Sequence, residues 1–430
     1  MKARIAMTER LEGRVLMSAF STVDTFELSA GHSAWTQTMA ADAGGDVFAV
    51  GNANTAANLQ VGIVREKAAG SSTWNTIDAF SYVAGKSTTF SGAAVGPDGA
   101  LYISGGGADG TGRGHWLTLK SANGGLSIID DFVTSGGAAA NKMAVDASGN
   151  LYVAGGADYV KGNSTTFDWV VRRRLAGQTS FTTVDNLTST GSGAGAIGVT
   201  TVAAGPAAGV YVVGSASAAN GSGNWIVRKS ADAGTTWATI DNFQLTPNTG
   251  SNMAEAVTGD GAGNVFVAGL GSAPSNLMSH WIVRKSGDGG ATWTTSDNFR
   301  LASTKNAVAS GAGVDASGNV YVAGYGIDSN NVRHAVLRTN TGGTWAIADD
   351  FQSGAAAGYR AFTADAAGNL YVAGTGDDAS GVGESIVRSS SPPTLGPSPS
   401  VFSSTPLSPA NASLDIVQKH RPHHLLGVPR

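Results

Sequence analysis

Six arginines occupy one recurring place in this chain: Arg65, Arg172, Arg228, Arg284, Arg338 and Arg388. Each closes a short β-branched or aromatic run, and Leu119 holds the same place in the second copy. A ring of guanidinium groups is anion-binding chemistry, because each planar fork matches a carboxylate or phosphate. Repetition argues against that use. A ligand needs different groups on its different sides, whereas a residue in nearly every copy serves the copy itself. An acid recurs beside the arginine, in Asp78–Phe80, Asp130–Phe132, Asp241–Phe243, Asp297–Phe299 and Asp349–Phe351, with Asp185–Leu187 as a variant. One Arg–Asp pair between neighbouring strands of each repeat is therefore expected.

Other constellations have the residue types of a ligand or metal site. The Asp-x-x-Gly-Asn turns at Asp146, Asp315 and Asp365, with looser copies at Asp98 and Asp260, alternate oxygen atoms as calcium loops do. They lack the distal bidentate carboxylate that calcium wants, and read as Asx-type turns. His115, His280 and His334 share one repeat position with Asp168, Asn224 and Glu384. Lying in three different repeats, they are expected at a hydrogen-bonding rim and not around a metal. The chain has no Cys, hence no thiolate nucleophile and no Cys-ligated metal. No metal and no cofactor are expected. What remains are residues that break the repeat. Glu255, Arg113 and Lys161 are among them, and the candidate ligand-binding set is Tyr159, Tyr325, Asp328, Arg333, Tyr359, Arg360 and Asp377. Tyrosines with carboxylates and guanidinium groups suit sugar hydroxyls or peptide groups.

The elements that must position these residues follow from one repeated sentence, cleanest in Asp146-Ala-Ser-Gly149-Asn150-Leu-Tyr152-Val-Ala-Gly155. Its seven copies close on Gly51, Gly105, Gly155, Gly214, Gly269, Gly324 and Gly374, spaced 50 to 59 residues apart. A period near fifty made of strands and turns marks a radial β-repeat. Residues 256–299 show four strand signals bounded by Gly, Asp, Asn and Ser, which is one four-stranded propeller blade. The last repeat runs from Ser385–Arg388 into a Ser/Pro tract without an outer strand, and the missing strand stands at the other end, Thr22-Val-Asp24-Thr-Phe26. The expected fold is an all-β, seven-bladed β-propeller of four-stranded antiparallel blades, its ring closed by the N-terminal strand. Such closure removes two open sheet edges.

The turn-and-strand sentence resembles the bacterial seven-bladed β-propeller repeat, and it covers all seven copies. Ser286-x-Asp288-x-Gly290-x-x-Trp293 and Ser230-x-Asp232-x-Gly234-x-x-Trp237 resemble the Asp-box, a turn of sialidase-like propellers. Degraded versions stand at Ser121–Gly125 and Thr339–Trp345. The resemblance implies a structural turn between third and fourth strands, and says nothing of catalysis. Leu11–Ser18 is similar to a short leader ahead of bacterial surface and exported repeat proteins, which implies an extracellular or cell-surface location.

Composition narrows the partners. Hydrophobic residues make up 42%, enough for a core, while charged residues are only 13%, about half the usual share. A net charge of -4 offers no basic face to nucleic acid or an anionic membrane. No run of eighteen apolar residues occurs, so no membrane insertion is expected. Residues 1–20 have no apolar core of a secretory signal and are expected to be a disordered leader. Residues 21–390 are the propeller, and 391–430 a disordered Ser/Pro-rich tail ending in His420-Arg-Pro-His423-His424. The expected function is a monomeric, non-catalytic module that binds a polysaccharide or protein through the face carrying the variable second-to-third-strand loops. The alternative is a glycoside hydrolase of sialidase-like design. That mechanism would need three non-repeat arginines (Arg113, Arg333 and Arg360), a Tyr–Glu nucleophile pair and an acid/base Asp converging on the central face.

Overall fold

The computed structural model describes residues 19–391 apart from 123–124, 162–163, 190, 192, 204, 206 and 273–277. Residues 1–18 of the expected 1–20 leader and 392–430 of the expected 391–430 tail lie outside the described residues, while Phe20, expected in the leader, is buried in the propeller. Every element is a strand, and the strands form seven four-stranded antiparallel sheets. Blades one to six span residues 34–80, 88–132, 137–187, 194–243, 252–299 and 307–351. Blade seven joins residues 357–390 to strand Ser21–Phe26. In that closure Thr22 faces Arg388 and Thr25 faces Ile386 in antiparallel register. Phe20, just ahead of the strand, is buried with Tyr359 and Phe362 in the core between blades six and seven.

The core lies between blades, because each sheet has two apolar faces and only its neighbours to bury them against. Trp116, Trp169, Trp225 and Trp281 are fully buried on the third strands of blades two to five. Each lies over the closing glycine of the next blade, Gly155, Gly214, Gly269 and Gly324, where a Cβ would overlap the indole. Blade one has Gly62 at the tryptophan position, and Phe90 of blade two fills that space. Phe90 stacks there on Phe80, with ring centroids 5.8 Å apart.

The repeated arginines pair with the repeated aspartates, but across the interface between blades and not within one blade as expected. Arg65 meets Asp24, Arg172 meets Asp130, Arg228 meets Asp185, Arg284 meets Asp241, Arg338 meets Asp297 and Arg388 meets Asp349, at 2.6 to 2.9 Å. Each is a two-pronged contact through Nε and Nη2, as in Arg172 to the two Asp130 oxygens. Where the preceding blade ends in Phe, the guanidinium also covers its ring, at 4.2 to 4.5 Å. The reason is direction. Side chains of a strand stand perpendicular to the sheet, and in a propeller that direction leads to the next blade.

Both faces of the ring are governed by turn chemistry. On one face Asp146 Oδ1 accepts the N–H groups of Ser148 and Asn150, and Asp315 and Asp365 repeat the pattern. Gly149, Gly263, Gly318 and Gly368 have φ near +80°, which these turns require. The third-to-fourth-strand turns share that face. Asp232 Oδ1 accepts from Thr235 and Thr236, and Asp288 Oδ1 from Thr292.

Candidate functional site

The residues of the innermost strands decide what the propeller axis offers. These strands are Ala34–Ala41, Thr88–Val95, Gly137–Val145, Ala194–Val202, Asn252–Gly259, Ala307–Val314 and Ala357–Ala364. An ordinary residue of such a strand points into a neighbouring blade, and only the strand edge faces the axis. A bulge changes this by inserting an extra residue that the partner strand does not match, which re-aims its side chain. All seven inner strands carry one at the same place, with register shifts at Thr36/Thr38, Phe90/Gly92, Ala140/Met143, Ala196/Gly198, Ala254/Ala256, Ala309/Gly311 and Tyr359/Ala361.

The inserted residues are Gln37, Ser91, Asn141 with Lys142, Ile197, Glu255, Ser310 and Arg360, and together they line one cavity of about 160 Å³. A second cavity of about 130 Å³ shares Lys142, Glu255, Ser310 and Arg360 and is otherwise lined by the residues that follow the bulges. Because all seven blades contribute, both lie on the axis.

The bulge also explains the closing glycines. At each of the seven, a Cβ would overlap the backbone carbonyl two residues ahead of the bulged residue: Trp35, Thr89, Ala139, Gly195, Met253, Val308 and Gly358. Glycine keeps the second strand close enough to hold the bulge, and the bulge frees one side chain per blade for the axis.

The charges lining the axial cavities are two cations, Lys142 and Arg360, and one carboxylate, Glu255. Lys142 Nζ donates to the Gln37 carbonyl oxygen of blade one at 2.7 Å, so the side chain reaches out of its own blade. Asn141 Nδ2 donates to the Ala196 carbonyl oxygen of blade four at 2.8 Å. Burial, helped by the Arg360 charge, pushes the Lys142 ammonium down to about 8. Burial holds the Glu255 carboxyl above the usual carboxylate range, although Lys142 and Arg360 pull it down. Arg360 is depressed by burial and by Arg333 beside it, and its Nε has no hydrogen-bond partner among the described residues. Arg333 lies over the Tyr325 ring at 3.9 Å, and its buried Nε is also unpartnered. Buried cationic donors that outnumber the one carboxylate beside them, with Arg360 Nε left unpartnered, are suited to an anion.

Of the residues singled out from sequence, the structure brings Arg333, Arg360 and Tyr325 together, with Glu255 beside Arg360. Asp377 lies within electrostatic reach of Arg333. The other three do different work. Asp328 Oδ1 accepts the N–H groups of Asn330 and Val332 and so caps its own loop. Asp109 and Asp378 do the same in blades two and seven, so three of the seven second-to-third-strand loops are as regular as the opposite turns. The loops read as variable from sequence thus share a capping rule in these three blades.

Tyr359 is 2% exposed, and its hydroxyl donates to Asp349 beside Arg388. Tyr159 packs against the core between blades two and three. Arg113 stands exposed on a blade-two loop and lines neither axial cavity, where the cation that accompanies Arg360 is Lys142. His115 and His334 each bond an outer-strand aspartate, Asp131 and Asp350, at 2.6 Å, and His280 bonds Asn298 at 2.8 Å. That is the expected rim position.

Lys142, Gln37, Ser91 and Ser310 escaped notice because each is unremarkable in its own strand. A signal exists: the bulged residue lies fourteen residues before the closing glycine in six of seven repeats, and no residue type dominates there.

The class of protein this defines is a seven-bladed β-propeller with a bulge-lined axial site. No family model matches the chain, and no curated protein does. Among solved structures it is similar to the extracellular domain of a hybrid two-component system from B. thetaiotaomicron, at 12% identity and TM-score 0.51, over 86% of this chain and 39% of that one. It thus spans well under half the length of that relative. A protein of unknown function from Dyadobacter fermentans aligns at 13% identity and TM-score 0.47, over 86% of this chain and 98% of the other. Trypanosoma rangeli sialidase aligns at 12% identity and TM-score 0.45, over 87% and 58%. At these identities the likeness concerns the fold alone.

Proposed function

We propose that this protein is a non-catalytic binding module of the cell surface or extracellular space, and that it takes an acidic polysaccharide at its propeller axis. The observation that carries the reading is that Lys142 and Arg360 line one axial cavity, with Arg333 beside Arg360, on a protein whose net charge is -4. Two cations in the cavity and a third beside them, against the single Glu255 carboxylate, favour a carboxylate ligand over a neutral sugar. The cavities, about 130 and 160 Å³, are of a size to take one acidic group and not a whole chain. The ligand therefore inserts a charged unit at the axis and lays its remainder over the mouth, near Tyr325 and Asp377. The repeat resemblance and the extracellular domain among its structural neighbours support the location.

A binding screen of acidic and neutral polysaccharides, run beside an acidic polypeptide and a generic glycosidase assay, tests the reading. Binding confined to uronic-acid polymers, without turnover, is the expected result. Binding of neutral polymers only, or release of sugar from any of them, would contradict it.

A further inference from the structure

The perimeter of the ring holds one blade interface unlike the others. Six interfaces are closed by three repeated groups: the third-strand arginine, the outer-strand aspartate of the preceding blade, and a large aromatic at the start of the arginine's own outer strand. That aromatic is Phe20, Trp74, Phe181, Trp237, Trp293 or Trp345. Between blades one and two, Leu119 replaces the arginine and Leu126 the aromatic. Asp78 of blade one stays, and it has no ion-pair or side-chain hydrogen-bond partner among the described residues.

The two smaller side chains leave space. A cavity of about 560 Å³ opens at this interface, with Glu66, Ile77, Asp78, Leu101, Lys120 and Leu126 in its walls. Ile77 is 42% exposed, whereas its counterparts Val23, Ile129, Val184, Ile240, Ser296 and Ala348 are half-buried. The charge is also altered. Glu66 stands where blades two to five carry Lys120, Arg173, Lys229 and Lys285. Lys120 is engaged by Asp98 at 2.8 Å, so it leaves Asp78 and Glu66 uncompensated. Burial, with Asp46 and Asp42 nearby, raises the Glu66 carboxyl, as befits an acid without a counter-charge.

We propose that this groove docks an arginine-bearing peptide segment of a partner protein, whose guanidinium takes the vacant place beside Asp78. The six native arginines show the geometry, a two-pronged contact on the same outer-strand aspartate. Leu119 is fully buried and fills the root of that place, so the guest arginine enters from the perimeter. Ile77 and Leu126 cover its methylene stem, and Glu66 adds a second acceptor. A lysine offers one point charge in place of the planar fork and fits less well.

The test uses the full-length protein and a fluorescein-labelled, end-capped Gly-Ser-Arg-Ser-Gly peptide, with its lysine counterpart as control. Anisotropy titrations are run on wild type, Asp78→Asn, Glu66→Gln and Leu119→Arg, with thermal melts to confirm folding. The arginine peptide should bind with a Kd of roughly 1 mM or better, and more tightly than the lysine peptide. Asp78→Asn should weaken binding about tenfold, and Glu66→Gln by less. Leu119→Arg should abolish binding and raise the melting temperature, because it restores the missing pair. Equal binding by wild type and Asp78→Asn would overturn the proposal. So would failure of the peptide to bind wild type, whether the groove takes nothing, is held by basic residues of the chain's own ends, or is covered by a second copy in a dimer.

Discussion

The perimeter and the axis of this ring are built on the same repeat and use it in opposite ways. At the perimeter one constellation recurs in six interfaces, arginine on aspartate, over a phenylalanine ring in five of them. At the axis one backbone device recurs in seven blades, the inner-strand bulge, and the side chain it presents is nearly always different. Repeating the residue makes scaffold. Repeating the backbone while varying the residue makes a surface able to recognise something. The interface between blades one and two is the perimeter's departure from its own rule, and there an acid is left waiting.

The largest effect is expected at ring closure. Deleting residues 1–26 strips blade seven of its outer strand and removes Asp24 from Arg65, so the protein should lose cooperative unfolding. Deleting 395–430 should leave the melting curve unchanged. A truncation before residue 27 that melts like wild type would show that the closing strand is dispensable.

A sharper contrast sets two aspartates of the same repeat position against each other. Asp241→Ala leaves Arg284 without its partner in a largely buried site and should cost about 3 kcal/mol. Asp78→Ala breaks no pair and should fall within about 0.5 kcal/mol of wild type. Equal losses in urea titrations of the two variants would mean that the ion pair is not what holds the interfaces.

The smallest effect concerns pH. Burial lowers the Lys142 ammonium to about 8 from an ordinary value of 10.5. Between these values the unfolded chain binds more protons than the folded one, so stability gains with rising pH, while below about 8 the full penalty of the buried charge applies. Lys142→Met removes that penalty. Its stability advantage over wild type should therefore shrink as pH rises from about 8 to 10.5, and a difference constant across that window would contradict the burial of this charge.

Much of the fold was legible in the sequence, because a propeller repeats its instructions. The closing glycines, the Asx turns and the misplaced strand Thr22–Phe26 give blade count and closure without any long-range inference. The partner of each arginine was less legible. Arg284 and Asp297 are close in sequence and lie on adjacent strands, yet the side chains leave the sheet at right angles and Arg284 meets Asp241 of the blade before. The axial site was mostly hidden. Arg360 was visible because it breaks the repeat, but Lys142 and Ser310 sit in strands whose alternation gives no hint that one residue is inserted. Asp328 misled for the converse reason: it breaks the repeat of the first turn while obeying a second rule, the loop cap it shares with Asp109 and Asp378.

One titration tests the axis as an anion site most directly. The affinity for a uronic-acid oligosaccharide should be compared with that for its carboxyl-reduced form, by calorimetry at pH 6.5 to 7 (roughly, so that Lys142 is charged). Wild type should bind the acidic form and lose at least tenfold (about 1.4 kcal/mol) on the reduced one, while Lys142→Met and Arg360→Met should bind both forms equally weakly. Undiminished binding by both variants, or indifference of wild type to carboxyl reduction, would contradict it.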